Sequence, residues 1–182
     1  MAPGPVTTSK LLSLMLRHRP ADFGLVLASD GWTSVESVLG ALAAQGCPLT
    51  KEGLAELVRA SDKQRFALSE DGARIRANQG HTVEVDLGHA PAHPPERLFH
   101  GTVARFLPSI RAQGLLRGQR HHVHLSPSEQ QAKVVGKRRG PPVVIEVLAG
   151  RMAAAGHVFL LTPNGVWLTD HVPPEFLVIP GD

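Results

Sequence analysis

The run Gly88-His89-Ala90-Pro91-Ala92-His93-Pro94-Pro95 constrains the fold more than any other stretch. Each proline fixes φ and removes a backbone donor, so three within eight positions continue neither a helix nor a central strand. The run reads as a linker and predicts two lobes, residues 1–90 and 91–182. Either piece is long enough to close a modest core of its own. Hydrophobic residues make up 42% of the chain and charged residues 19%, which excludes wholesale disorder. No apolar run approaches the ~20 residues of a membrane span. The start, Met-Ala-Pro-Gly-Pro-Val, lacks the basic-then-apolar pattern of a secretory signal. Cys47 is the single cysteine, which excludes an internal disulfide and a Cys-rich zinc site. A soluble, cytoplasmic protein is expected.

Periodicity predicts three helices and a hairpin in the first lobe. Thr8 or Ser9 is placed to cap a helix carrying Leu11, Leu12, Leu14, Met15 and Leu16, which Pro20 terminates. A second helix follows from Ser34 to Ala44, and a third opens at Thr50. Arg65–Leu68 and Ala73–Ala77 flank the turn-rich Ser69-Glu70-Asp71-Gly72. These are the parts of a winged helix, a fold that often binds nucleic acid without proving that function. The second lobe predicts strands broken by one or two helices. A short strand Arg97–His100 ends at Gly101, a helix spans Phe106–Gly114, and His122–Leu125 alternates as a strand. Ser128–Val135 reads as helical, and Val143–Val147, Val166–Leu168 and Phe176–Ile179 as strands. The fold class is α+β.

The net charge of +3 conceals an asymmetry. Between Arg97 and Arg139 lie nine basic residues and one acid, Glu129, with histidines interspersed. Arginines outnumber lysines fourteen to five. A guanidinium grips phosphate in a bidentate fork that an ammonium lacks, so the block fits a polyanionic partner as well as it fits a solvated basic face.

Several residues are candidates for chemistry, and each also has a plain structural explanation. Arg17-His18 ends the first helix, where a cation complements the helix dipole. Arg65 opens a strand, and Arg138-Arg139 lies in a basic loop. His100-Gly101-Thr102 places a histidine at a strand end beside a glycine that lets a ligand approach the backbone. His122 and His124 share a spacing of two, but no third ligand accompanies them, so no metal is expected. Trp167 fits a core position.

Together these segments resemble the RNA 2′-phosphotransferases, the KptA-like enzymes that remove an internal 2′-phosphate from spliced RNA using NAD. The resemblance rests on Ser9-Lys10-Leu11-Leu12-Ser13, Leu16-Arg17-His18-Arg19-Pro20, Gly31-Trp32 and Arg65-Phe66 in the first half. It continues through Ile75-Arg76-Ala77-Asn78-Gln79-Gly80-His81, Leu98-Phe99-His100-Gly101-Thr102, His122-Val123-His124-Leu125-Ser126 and Gly165-Val166-Trp167-Leu168-Thr169. It implies an N-terminal winged-helix RNA lobe and a C-terminal ADP-ribosyltransferase-like lobe of mixed β structure. It implies NAD as co-substrate, an RNA partner carrying an internal 2′-phosphate as in tRNA splicing, no membrane partner and a monomer. The family's catalytic group falls on Arg17, His18, Arg65 and Arg138. Its NAD contacts fall on His100, Gly101, Thr102, Arg120, His124, Ser126 and the strand after Asn164. Arg139 departs from the pattern, standing where a histidine is common.

The implied reaction has two steps. The RNA 2′-phosphate attacks the anomeric carbon of the nicotinamide ribose and expels nicotinamide. The ribose 2″-hydroxyl then attacks phosphorus, releasing 2′-hydroxyl RNA and ADP-ribose 1″,2″-cyclic phosphate. Many ADP-ribosyltransferases activate weak nucleophiles with a His, Tyr and Glu set. This chain has no tyrosine, and Gly165-Val166-Trp167-Leu168 carries no acid. A phosphomonoester with a second pKa of about 6 needs no such activation. Arginines suit the second step, in which charge grows on phosphoryl oxygens. The active site is expected in the cleft between lobes. The competing expectations are ADP-ribosylation of terminal RNA or DNA phosphates, ending after the first step, and a winged-helix regulator without catalysis.

Overall fold

A computed structural model describes residues 5–61 and 64–181; the side chains of residues 5–7 and 139 lie outside that description. The chain divides into two compact units, Met1–Gly88 and His89–Asp182. Each has its own apolar core.

The first unit contains α1 (Pro5–Arg17), β1 (Thr33–Ser34), α2 (Val35–Ala44), α3 (Lys51–Arg59), β2 (Phe66–Leu68) and β3 (Arg74–Ala77). The first helix starts before Thr8, so neither Thr8 nor Ser9 caps it; Ser9 accepts at its carbonyl from the Ser13 hydroxyl within the helix. Its end is set by Pro20, the first residue of a one-turn 3₁₀ segment, Pro20–Phe23. Ser34 and Thr50 cap α2 and α3 through their side-chain oxygens, accepting from Ser37 and Gly53 amides at 3.4 and 3.1 Å. The hairpin forms as expected, with Ala67 opposite Arg76. The two-residue β1 adds a third strand, pairing Thr33 with Ile75. Leu12, Met15, Leu16, Val38, Leu42, Leu54 and Ile75 fill the core beneath. Burying each such side chain contributes on the order of 1.5–3 kcal/mol.

The second unit contains β4 (Leu98–Val103), α4 (Leu107–Gln113), β5 (Leu115–Leu116), β6 (Val123–Leu125), α5 (Glu129–Gly136) and β7 (Pro142–Val147). There follow α6 (Ala149–Ala154), β8 (Leu160–Leu161), β9 (Trp167–Thr169), β10 (His171–Val172) and β11 (Leu177–Val178). The strands form antiparallel sheets in the orders β11-β7-β4, β6-β9-β8 and β10-β5. Phe99 and Ser126 exchange backbone hydrogen bonds of 2.9 and 2.8 Å, tying β4 to the end of β6. The β4 strand does not stop at Gly101 but pairs with β7 as far as Val103. Helix α6 and the two-residue strands β1, β5, β8 and β10 are additions to the elements that periodicity predicts, whereas β11 falls within the predicted strand Phe176–Ile179. Trp167 is 8% exposed and belongs to the core, as expected. None of the described helices is long and apolar enough to cross a membrane.

Candidate functional site

In the first unit, α1 delivers Arg17 and His18 at its C-terminal end, where helix carbonyls lack intrahelical partners. The Arg17 carbonyl is satisfied from outside the helix, accepting from the Thr82 amide at 2.8 Å and the Val83 amide at 3.4 Å. The Thr82 hydroxyl also lies 3.4 Å from that carbonyl and 3.1 Å from His18 Nδ1. A carbonyl can only accept, so a Thr82 proton given to it makes Thr82 Oγ1 the acceptor for His18 Nδ1–H. The neutral imidazole then carries its lone pair on Nε2.

Arg65 is tied to the same place. Its carbonyl accepts from Arg17 Nη2 at 3.2 Å and from the Asn78 amide at 2.9 Å. The Arg17 guanidinium carbon lies 5.6 Å from the centre of the Phe66 ring, within cation–π range. Asn78 Nδ2 donates to the Gln64 carbonyl at 2.7 Å, bracing a residue whose φ of 37° is unusual for a side-chain-bearing residue. Arg17, with His18 beside it, is therefore tied to the backbone of Arg65. The segment 78–82 does the bracing, with Asn78 and His81 only 6% and 3% exposed. Sequence reasoning quoted the Arg76–His81 string without giving it a role and missed Thr82. Its signal is a polar run directly after a strand, in a position that must become buried.

In the second unit, His100 and His124 form a ladder. His100 Nδ1 donates to the His124 carbonyl at 3.1 Å, and His124 Nδ1 donates to the His122 carbonyl at 3.0 Å. A neutral ring held this way carries its lone pair on Nε2, the same device that orients catalytic and metal-bound histidines. His122 Nε2 lies 3.7 Å from Asp170. Burial lowers the His122 pKa; Asp170 opposes this, while His121, Arg117 and His89 act with it. Ser126 is held by its exchange with Phe99, next to His100. Thr102 is buried in β4. Asn164 stands in a tight turn: its Oδ1 accepts from the Thr162 hydroxyl at 2.7 Å, and the Val166 amide donates to Thr162 Oγ1 at 2.9 Å.

Gly101 differs from its sequence reading. A Cβ there would lie 1.8 Å from the Ala132 carbonyl oxygen, and one on Gly136 would lie 3.0 Å from the Thr102 carbonyl. The missing side chains let α5 press onto β4, so the space a Gly101 side chain would take holds a helix. Arg120 lies on an exposed turn whose amide donates to the Arg117 carbonyl at 3.2 Å. Arg138 lies exposed on the 3₁₀ turn Lys137–Arg139 that continues α5. Among the described residues no group of three His, Cys, Asp or Glu side chains is disposed to hold a metal.

The sequence model described as RNA 2′-phosphotransferase, Tpt1 / KptA family, matches residues 4–171. A protein of Agrobacterium fabrum named "Probable RNA 2′-phosphotransferase" is 54% identical over 175 residues, covering 96% of this chain and 94% of its own length. Proteins of the same name from Streptomyces griseus and Pseudomonas aeruginosa are 51% and 49% identical over 183 and 171 residues. The first covers 97% of both chains, and the second covers 93% of this chain and 94% of its own. The match takes in Arg17, His18, Arg65, Arg138 and both histidines of the ladder, and the chain belongs to the Tpt1/KptA family of RNA 2′-phosphotransferases.

Proposed function

We propose that the protein is an NAD-dependent RNA 2′-phosphotransferase acting on RNA with an internal 2′-phosphate, such as that at a tRNA splice junction. The observation that carries this reading is the locking of Arg17, His18 and Arg65 around the Arg65 and Arg17 carbonyls. One guanidinium and one imidazole held at the start of the strand that Arg65 opens suit a phosphate and a nearby hydroxyl. The first unit is read as the winged-helix RNA lobe, with β2 and β3 as its wing. The second is read as an ADP-ribosyltransferase-like lobe for NAD. Its polar set fits a dinucleotide: two imidazoles with fixed Nε2 acceptors, the hydroxyls of Thr102 and Ser126, the Asn164 turn, and an exposed guanidinium, Arg120, for pyrophosphate.

NAD is consumed as co-substrate and supplies the nicotinamide leaving group. Its anomeric carbon takes the RNA phosphate oxygen as the bond to nicotinamide breaks. In the second step the bond from phosphorus to the RNA 2′-oxygen breaks as the ribose 2″-oxygen bonds to phosphorus. His18 Nε2 accepts the 2″-hydroxyl proton, a role its Thr82-bound Nδ1–H prepares. The leaving RNA oxygen is protonated from solvent. Arg17, Arg65 and Arg138 neutralise the phosphoryl oxygens as charge grows, and removing one such donor costs ~3 kcal/mol of transition-state stabilisation.

The test is chromatography of products from a 2′-phosphorylated RNA oligonucleotide with and without NAD. The reading expects 2′-hydroxyl RNA, nicotinamide and ADP-ribose 1″,2″-cyclic phosphate only when NAD is present. A stable ADP-ribosylated RNA would replace it with a transferase that stops after the first step, and an unaltered oligonucleotide would overturn it.

A further inference from the structure

The outer face of the first unit's sheet carries a feature that the phosphotransfer chemistry leaves unused. Trp32 directly precedes β1, and two arginines of β3 lie over its ring, Arg76 at 4.8 Å and Arg74 at 5.5 Å from the centroid. Positions 74 and 76 share one strand face, while Ile75 and Ala77 between and beyond them are buried in the core. Their cross-strand partners are small: Ser34 opposite Arg74 and Ala67 opposite Arg76. The Ser34 hydroxyl is already engaged as the α2 cap. Arg74 is exposed, and Arg76 is half-buried with its Nε covered.

Charge makes the arrangement costly for a merely structural device. Two cations over one ring repel each other, and among the described residues no carboxylate lies within salt-bridge distance of either arginine. Arg76 donates only a long bond, 3.4 Å, to the Asp30 carbonyl, and its buried Nε has no described partner. Ring and strand nonetheless hold both forks in place, and an anion spanning them would relieve the repulsion.

The same hairpin leads to the candidate site. Phe66 is buried, so strand alternation sets Arg65 on the outer face with Ala67, and the Asn78 amide pairs back to Arg65. Arg65, Arg76 and Arg74 thus follow one another along one face of the β2–β3 ribbon. We propose that Trp32, Arg74 and Arg76 form a docking platform for the RNA strand flanking the 2′-phosphate, the two guanidiniums taking successive backbone phosphates. This rests on the RNA-substrate reading above.

The test compares the wild type with the double variant Arg74→Gln/Arg76→Gln on two substrates, a 2′-phosphorylated dinucleotide and a longer 2′-phosphorylated oligonucleotide. The platform predicts that KM for the long substrate rises about tenfold with kcat unchanged, while the dinucleotide is turned over as before. The slope of log affinity against log salt for the long RNA becomes shallower by about 1.4, at ~0.7 per single-strand phosphate contact. That affinity is read by fluorescence anisotropy with no NAD present, so it is scored even if the proposed turnover fails. Equal effects on both substrates, or an unchanged salt slope in a variant with wild-type thermal unfolding, would overturn the platform. Trp32→Leu gives a second reading, predicting the same loss on the long RNA alone.

Discussion

At the residue scale, what distinguishes His18 from an ordinary helix-end histidine is its partner. Thr82 Oγ1 fixes Nδ1, which decides the ring nitrogen available for chemistry. Thr82→Val keeps the shape and removes the hydroxyl. It is expected to lower kcat about tenfold, the scale of one lost hydrogen bond, and to alter the pH–rate profile while leaving KM for NAD in place. Thr82→Ser is expected to restore both. A Thr82→Val enzyme with the wild-type profile would show that Thr82 does not orient the imidazole. His122 makes a second residue-scale prediction. Its pKa in the fold is lowered by burial, so the unfolded chain, with an ordinary value of about 6.5, binds the proton first as pH falls. Its contribution is therefore fully present above 6.5 and is lost as pH falls through the lowered value. Denaturant titrations across that interval should show stability declining with pH, and His122→Asn should flatten the decline. A steeper decline in that variant would contradict the assignment.

At the scale of elements, the contact between α5 and β4 depends on two glycines. Gly101→Ala forces a methyl group against the Ala132 carbonyl, where neither backbone can yield without breaking strand pairing or the helix. The expected cost is ~3 kcal/mol, a fall of roughly 6–12 °C in Tm. An unchanged Tm would mean that the helix does not pack as described. This contact also shows where sequence reading reaches its limit. Helices α2, α3 and α5 are legible because a Ser or Thr cap precedes an apolar period, and the hairpin because a turn separates two apolar runs. The two-residue strands β1, β5, β8 and β10 are too short for alternation to register, whereas the β-prone run Phe176–Ile179 announces β11. A close-approach glycine such as Gly101 looks the same in sequence whether a ligand or a helix fills the space. The candidate site residues come from a family resemblance. The bonds that brace them, from Thr82 and Asn78, join residues far apart in the chain and follow only from the fold.

At the scale of the whole molecule, the chain is two units with separate cores, and the proposed chemistry draws on both. Arg17, His18 and Arg65 belong to the first, and the histidine ladder and Arg138 to the second. Arg138 is proposed to serve the second of the two steps. The most direct test is a single-turnover time course on a 2′-phosphorylated RNA oligonucleotide with NAD, for the wild type and for Arg138→Ala. With that role for Arg138, the wild type passes through ADP-ribosylated RNA to 2′-hydroxyl RNA, while Arg138→Ala forms that adduct and clears it at least a hundredfold more slowly, the effect of losing ~3 kcal/mol. An Arg138→Ala enzyme that clears the adduct at the wild-type rate would contradict it.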